Sequence, residues 1–201
     1  MNKWDAIVIG GGHNGLTNAC YLQRAGLNVL VVEKNDWVGG AATSRSHTPG
    51  FVYSNCSYVC SLFRPEIMRD LELPRYGLQV IAYEGGAVLT QDGDYLANYR
   101  DHDAHRREFA RFSKRDAEAY DRYARDVTRQ CRFIQPLLMR TAPDPTSFRP
   151  RDIGELLYLG KKFAGLSSEE MALTLRFWTM SISEFLDEYF ETDVIKANFA
   201  I

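Results

Sequence analysis

The feature that most constrains this chain is a glycine-rich motif between two apolar segments near the N-terminus. Asp5–Gly10 is short and β-branched, which is typical of a buried parallel strand. GGGHNG, at residues 10–15, then satisfies G-x-G-x-x-G. A helix-compatible stretch follows and ends near Gly26, and Asn28–Glu33 is a second apolar strand. The motif therefore lies inside a βαβ unit, as its mechanism requires.

The motif glycines have separate physical roles in such a unit. Gly10 permits a tight turn, Gly12 lets the backbone approach a diphosphate, and Gly15 lets the helix pack close to the strand. The N–H groups and the dipole of the helix start face the phosphates, and Asn14 belongs to that first turn. Glu33 ends the second strand, where a carboxylate accepts hydrogen bonds from a ribose and repels a 2′-phosphate. The unit predicts a dinucleotide site that disfavours NADP.

The segment after Glu33 distinguishes FAD from NAD. KNDWVGGAATSR places Gly39-Gly40 six residues past the ribose acid, and Gly50-Phe51 follows. These motifs resemble FAD-dependent oxidoreductases of the glutathione-reductase-like class, and most of all the desaturase-like flavoproteins of the phytoene desaturase and amine oxidase branch. The resemblance implies FAD as cofactor. No metal site is expected, because the cysteine spacing is not that of a metal site, and the sequence identifies no catalytic acid or base. The resemblance assigns cofactor binding to Gly10, Gly12, Asn14, Gly15, Glu33, Lys34, Gly39, Gly40, Ala41 and Arg45.

The second part of the chain has a different pattern. Val80–Ala82 is predicted to be a strand, and Ala87–Thr90 with Tyr95–Tyr99 a hairpin. Apolar residues at spacings of three and four predict one long helix over Asp103–Met139. Three further helices are predicted at Ile153–Phe163, Ser168–Trp178 and Ile182–Tyr189.

The predicted fold class is α/β. A Rossmann-like FAD/NAD(P)-binding βαβ unit in residues 1–75 is followed by a partial, mostly helical α+β substrate domain in residues 76–201. A doubly wound sheet needs more than two parallel strands. We therefore expect the N-terminal part of such a flavoprotein, either a truncated member or one half of a split protein, with a C-terminal partner polypeptide or a homo-oligomer as candidate partners.

The helical region raises three further expectations. Asp116 falls on the apolar stripe of the long helix, so it should lie at the edge of the stripe or pair with Arg115 or Arg122. Pro136 should kink or end that helix. Bulky residues near the end favour helix packing, with a hydrophobic substrate channel as the alternative: Phe177, Trp178, Phe185, Tyr189 and Phe190.

Charge gives no reason to expect a nucleic-acid partner, because the formal net charge is −2. Between Arg100 and Arg151, however, twelve Arg and one Lys stand against eight acidic residues. This local excess favours the solvated face of a helix, and a docking surface for an acidic partner is the alternative.

The cysteine pattern and the hydropathy pattern bear on location. The four cysteines show no metal-binding spacing, which favours reduced thiols in a reducing compartment. No signal peptide is recognisable, and no apolar run approaches the length needed to span a bilayer. The expectation is a cytoplasmic protein, with peripheral membrane contact left open.

The resemblance implies a flavoenzyme that transfers hydride between a lipophilic or amine-like small molecule and FAD. In such enzymes the protein binds, orients and tunes the cofactor. Whether this chain has catalytic activity by itself is left open. One alternative is a non-catalytic dinucleotide-binding fragment that needs a partner chain. An NAD-linked dehydrogenase is a weaker alternative, because Gly39-Gly40 and Gly50-Phe51 argue against it.

Overall fold

The computed structural model describes residues 3–54, 56–57 and 59–200 and divides into two compact units. The first unit is Met1–Ala82 and the second is Tyr83–Ile201, whereas the sequence analysis placed the division after residue 75. The first unit contains β1 (Ala6–Ile9), α1 (His13–Arg24), β2 (Val29–Val32), β3 (Ser44–Thr48), β4 (Phe51–Ser54) and α2 (Pro65–Asp70). The second contains β5 (Gly85–Leu89), β6 (Tyr95–Tyr99), α3 (His102–Phe112), α4 (Lys114–Ile134), α5 (Pro150–Ala164), α6 (Ser168–Thr179), α7 (Ile182–Asp187) and α8 (Asp193–Phe199).

The βαβ unit predicted from the sequence is present in the first unit. β1 and β2 pair in parallel, with Ala6 opposite Val29 and Ile9 opposite Val32. α1 connects them and ends at Arg24, and Gly26 follows with a φ of 90°. A hairpin of β3 and β4 comes next, which the sequence analysis did not predict.

The hairpin of the second unit is confirmed, but the strand predicted at Val80–Ala82 is wrong. β5 and β6 pair antiparallel over their full lengths. Residues 79–84 have no strand structure, and the Val80 and Ile81 side chains are 55% and 82% exposed. β-branched residues form a strand only where a neighbouring strand and a packing surface are available. The hydrophobic pattern of Val80–Ala82 alone was therefore not enough to predict a strand.

The single helix predicted over Asp103–Met139 is wrong, because α3 and α4 are separated at Ser113. Ser113 has extended backbone angles (φ −151°, ψ 123°), and its hydroxyl accepts a hydrogen bond from the Asp116 N–H at 3.1 Å. A serine with an acid three residues later is a helix-start signal that the long apolar stripe obscured. The expected effect of Pro136 is confirmed, since α4 ends at Ile134 and a 3-10 turn follows.

Asp116 lies neither at the edge of the stripe nor in an arginine pair, so that prediction is wrong. It is fully buried, and its two carboxylate oxygens accept hydrogen bonds from the backbone N–H groups of Glu191 and Thr192 at 2.9 and 3.0 Å. The Arg115 guanidinium pairs instead with the Glu191 carboxylate at 2.7 Å. Asp116 thus ties the start of α4 to the segment before α8.

The core of the second unit is built from aromatic and aliphatic side chains. Phe109 and Tyr120 pack edge to face at 5.1 Å, and Phe109 meets Phe190 at 6.1 Å. Phe190 also lies 5.5 Å from Phe199 of α8, a helix not predicted from the sequence. The buried members of the core are Leu96, Phe109, Ala117, Phe185, Leu186, Tyr189, Phe190 and Ile195.

Helix packing accounts for most of the bulky residues near the end of the chain. Phe185 and Tyr189 are buried in the core, and Phe177 packs against Phe185 at 5.1 Å. Trp178 is the exception at 52% exposure, and its indole N–H donates to the Gln130 side-chain oxygen at 3.3 Å.

Two findings apply across the described residues. All four cysteines are free thiols with exposed side chains. None of the helices within the described ranges combines the length and the apolar character that crossing a bilayer demands.

Candidate functional site

The glycine loop between β1 and α1 has the local geometry that its sequence requires. Gly10 has a φ of 102°, and its N–H donates to the Val32 carbonyl at 2.8 Å. A Cβ added at Gly15 would lie 2.1 Å from the Gly10 carbonyl oxygen and 3.4 Å from Val8 Cγ1. The fold itself therefore demands glycine at positions 10 and 15, for the turn and for the packing of α1 on β1.

Gly12 differs, because the protein's own packing does not require glycine there. Its backbone is in the ordinary extended region (φ −73°, ψ 172°), and an added Cβ would meet only Gly40 Cα, at 3.8 Å. Within the described chain no side chain caps α1 at this point, and its first turn carries no acidic residue. A ligand that approaches the backbone closely explains the glycine, and the bare helix start suits an anionic group.

A second glycine loop lies directly against the first. The Gly39 N–H donates to the Gly11 carbonyl at 2.7 Å, and both Gly39 and Gly40 have positive φ angles of 110° and 58°. A Cβ added at Gly40 would lie 3.0 Å from Gly12 Cα. The two loops therefore form one cradle of backbone, which side chains at these positions would fill. This cradle fits the diphosphate of a dinucleotide.

Glu33 is held at the rim of the cradle by backbone donors. Its Oε2 accepts from the Gly11 N–H at 2.6 Å, and its Oε1 accepts from the Asn35 N–H and side-chain amide, each at 2.9 Å. The hydrogen bonds from the Asn35 and Gly11 backbones lower the pKa of the Glu33 carboxyl. A carboxylate offers about four acceptor positions, so Oε2 keeps capacity for a further donor such as a ribose hydroxyl.

The remaining residues expected at the site fall into two groups. Asn14, in the first turn of α1, and Ala41, in the 3-10 turn Gly40–Ala42, line a cavity of about 990 Å³. Lys34 has an exposed side chain. The Arg45 guanidinium lies on β3, over the Trp37 ring at 4.8 Å from its centroid. Lys34 and Arg45 are thus not among the residues that line this cavity.

The cavity includes residues that the sequence analysis missed. Thr17, Asn18 and Tyr21 join Asn14 on one face of α1, and the opposite wall includes Leu62 and Phe63 from the segment before α2. The sequence does contain a signal for this shared face, because the four α1 residues are spaced at i, i+3, i+4 and i+7. The lining is mostly apolar, which suits an organic ligand.

Neither a metal centre nor a redox disulfide is present among the described residues. No group of three or more His, Cys, Asp or Glu side chains there is placed to hold a metal ion. Cys56 and Cys60 both contribute to the wall of the cavity, and both are free. The chemistry that this arrangement supports is the binding and orientation of a dinucleotide.

Comparison with known proteins agrees with this geometry. The family model described as FAD dependent oxidoreductase matches residues 5–174. Pyridine nucleotide-disulfide oxidoreductase domain-containing protein 2 of Mus musculus is 36% identical, over 98% of this chain and 36% of its own length. One of the polypeptides of limonene dehydrogenase from Castellaniella defragrans is 36% identical, over 60% of this chain and 22% of its own length.

A solved structure shares the fold. A triple mutant of putrescine oxidase superposes with a TM-score of 0.51 at 16% identity, over 98% of this chain and 36% of that chain. The chain thus spans 36% of the length of both the mouse relative and this structure.

These matches confirm the α/β fold class, the resemblance to desaturase-like and amine oxidase-like flavoproteins, and FAD as the cofactor of the family. The chain belongs to the FAD dependent oxidoreductase family.

Proposed function

We propose that this chain supplies the diphosphate- and ribose-binding part of an oxidoreductase that transfers hydride between a lipophilic or amine-like substrate and flavin. The observation that carries the proposal is Gly12, a glycine that the protein's own packing does not require, placed at the bare start of α1. Bound FAD supplies the hydride acceptor. The contribution of this chain is to hold and orient the cofactor.

The proposed roles follow the geometry of the cradle. Gly10 and Gly15 shape the loop, Gly12 with Gly39 and Gly40 leaves room for the diphosphate, and Glu33 accepts from the ribose. Four further residues are proposed to contribute at the periphery: Asn14, Lys34, Ala41 and Arg45.

The class of substrate is proposed from the cavity and from the names of relatives. The cavity of about 990 Å³ beside α1 is mostly apolar, which suits a lipophilic small molecule. A terpene in the name of limonene dehydrogenase and a diamine in the name of putrescine oxidase fit the two proposed substrate types. Four free cysteines fit a reducing compartment such as the cytoplasm.

A second candidate function is a cofactor-binding fragment that acts only with a partner chain. Ile7, Ile9 and Val32 of the parallel pair are 60%, 87% and 40% exposed. Parallel sheets are normally covered on both faces. A C-terminal polypeptide or a second copy of the chain that covers these side chains is the proposed partner.

The test compares wild type with Gly12→Ala and with Gly154→Ala, a control glycine in α5 with open space around it. Each protein is purified, its absorption spectrum recorded and any released cofactor identified by chromatography. We expect wild type and Gly154→Ala to carry FAD. We expect Gly12→Ala to keep the wild-type circular dichroism and, in the FAD-free form, the wild-type melting temperature, but to bind FAD roughly tenfold more weakly, because its Cβ collides with the diphosphate.

Other outcomes decide between the alternatives. Released NAD in place of FAD would support the dehydrogenase and overturn the proposal. A colourless wild type that gains FAD only when a C-terminal polypeptide is supplied would support the fragment. Equal FAD affinity of Gly12→Ala and wild type would remove the observation on which the proposal depends.

A further inference from the structure

A concave surface between α3 and α4 concentrates positive charge in the second unit. We call it the arginine groove and define it by His102, Arg106, Asp121, Ala124, Arg125, Thr128, Arg129 and Arg132. Its volume is about 570 Å³, within the range of small-molecule sites. Its four arginines and one aspartate sum to a formal charge of +3.

The single carboxylate of the groove is already engaged. Asp121 Oδ1 lies 2.8 Å from His102 Nε2, and its Oδ2 lies 3.5 Å from an Arg106 guanidinium nitrogen. The hydrogen bond from His102 is the main cause that lowers the pKa of the Asp121 carboxyl, and Arg106 adds to it. Asp121 therefore contacts His102 and Arg106 at one side of the groove and forms no ion pair within 4.0 Å with the other groove arginines.

Arg125, Arg129 and Arg132 are the groove arginines without such a contact. Among the described residues, none of the three makes a hydrogen bond or an ion pair within 4.0 Å, and the carboxylates of Asp121 and Glu170 act on Arg125 and Arg129 only at longer range. They occupy positions i, i+4 and i+7 of α4 and so share one face over about 10 Å of helix. Like charges at this spacing repel each other, so the arrangement is unfavourable unless an anion or solvent compensates it.

Other arginines of the second unit do have carboxylate partners. Arg115 pairs with Glu191, and Arg140 binds Glu155 through two nitrogens at 2.7 and 2.9 Å. A solvated helix face explains why arginines are exposed. It does not explain why unpaired arginines of α4 converge with Arg106 of α3 on one concave surface.

We propose that the arginine groove binds a small ligand through a di- or triphosphate group. Such a group matches the formal charge of +3, and arginine binds phosphate oxygens through paired N–H donors. None of the lining residues is Phe, Tyr or Trp, so the recognition that we propose goes through the phosphates and the arginines. The inference is independent of the cofactor cradle, whose residues all lie in the first unit.

The test measures the binding of inorganic tripolyphosphate to the full chain by calorimetry, without added FAD, because the diphosphate of FAD could itself compete for the groove. The test variant is Arg125→Gln/Arg129→Gln. The control is Arg107→Gln/Lys114→Gln, which removes the same charge at two positions of α3 and α4 outside the groove. We expect saturable binding to wild type, a roughly tenfold or greater loss in the test variant, and a change of at most about twofold in the control.

Two results would overturn the proposal. One is no saturable binding to wild type, and the other is equal weakening in the test variant and the control. Circular dichroism checks that each variant is folded, and the single variant Arg132→Gln replaces the double variant if the latter fails to fold.

A parallel arm separates a soluble phosphate ligand from a lipid surface. Sedimentation is compared with vesicles of phosphatidylglycerol and of phosphatidylcholine. Binding to phosphatidylglycerol that depends on Arg125 and Arg129, without any binding of tripolyphosphate, would assign the groove to an anionic membrane and overturn the proposal. Tripolyphosphate binding without vesicle binding would support it.

Discussion

The second unit of this chain is organised around buried side chains, whereas the first unit is organised around contacts between backbone segments. In the second unit, eight buried apolar residues form a core, with Phe109, Leu96, Leu186 and Ile195 essentially inaccessible to solvent. In the first unit, Val8 and Ala19 are the buried hydrophobic residues among those described. Its most constrained contacts are instead between glycine backbones.

This contrast separates stability from cofactor binding. Burial of apolar side chains contributes roughly 25 cal/mol per Å² of area removed from water, and it is concentrated in the second unit. The backbone cradle of the first unit contributes little such area and shapes a surface for a ligand. Substitutions in the two units should therefore affect different measurements.

The largest expected effect is at the centre of the second unit. Phe109 is fully buried and contacts the rings of Tyr120 and Phe190. Phe109→Ala should lower the free energy of unfolding by about 3–5 kcal/mol, because it removes buried surface and leaves a cavity. Urea denaturation measures it, with Phe148→Ala at a 92% exposed position as control. A loss below about 1 kcal/mol would show that this core does not carry the stability of the unit.

The next effect concerns the buried carboxylate that joins α4 to the segment before α8. Asp116→Ala orphans the N–H groups of Glu191 and Thr192 and should cost about 1–3 kcal/mol of unfolding free energy. Asp116→Asn keeps one acceptor oxygen and should cost less. Asp187→Ala, which removes an exposed ion pair with Lys196, is the control and should cost under about 1 kcal/mol. Similar losses of unfolding free energy in Asp116→Ala and the control would contradict the role of Asp116 in joining α4 to the segment before α8.

The third effect is a loss of stability of the second unit at alkaline pH. Burial, followed by the charges of Tyr120 and Cys131, raises the pKa of Tyr123 to about 12. A tyrosine in the unfolded chain titrates near 10. The pKa of Tyr123 is higher in the folded than in the unfolded chain, so the protonated side chain contributes to the stability of the folded state. That contribution is fully present below pH ~10 and is lost as the pH rises from there through about 12.

The measurement is the free energy of unfolding of wild type and Tyr123→Phe as a function of pH. The wild type should lose stability over that interval, and the variant should lose less, because it cannot ionise at this position. Parallel pH profiles for the two proteins would contradict the assignment to Tyr123.

The smallest effect is expected on the exposed face of the parallel strands. Ile9 is 87% exposed, so Ile9→Thr removes little buried area and should change the free energy of unfolding by less than about 0.5 kcal/mol. Denaturation at two protein concentrations provides the measurement. A loss above about 1 kcal/mol that grows with protein concentration would show that a second copy of the chain covers this face.

Local signals predicted the βαβ unit of the first unit and the hairpin of the second unit. The order strand, glycine motif, helix, strand and acid needs only near neighbours in the chain, and β1, α1 and β2 follow it. Gly10 is required by its own φ of 102°, and Gly15 is required because an added Cβ would lie 2.1 Å from the Gly10 carbonyl oxygen. The hydrogen bond from the Gly39 N–H to the Gly11 carbonyl was not predicted, since nothing in the local sequence specifies it.

The sequence by itself determined the βαβ unit and its glycine turn, because these depend on short-range backbone constraints, and its motifs carried the resemblance to the family. Only the tertiary structure decided the partners of Asp116, since the N–H groups that it accepts come from residues 75 and 76 positions away. The tertiary structure also brought Arg106 of α3 to the same groove as Arg125 and Arg129 of α4, after Ser113 ended one helix and began the next. The spacing of arginines along α4 in the sequence is the same whether solvent or a second helix faces them. Only the packing of α3 against α4 therefore shows that they line a groove.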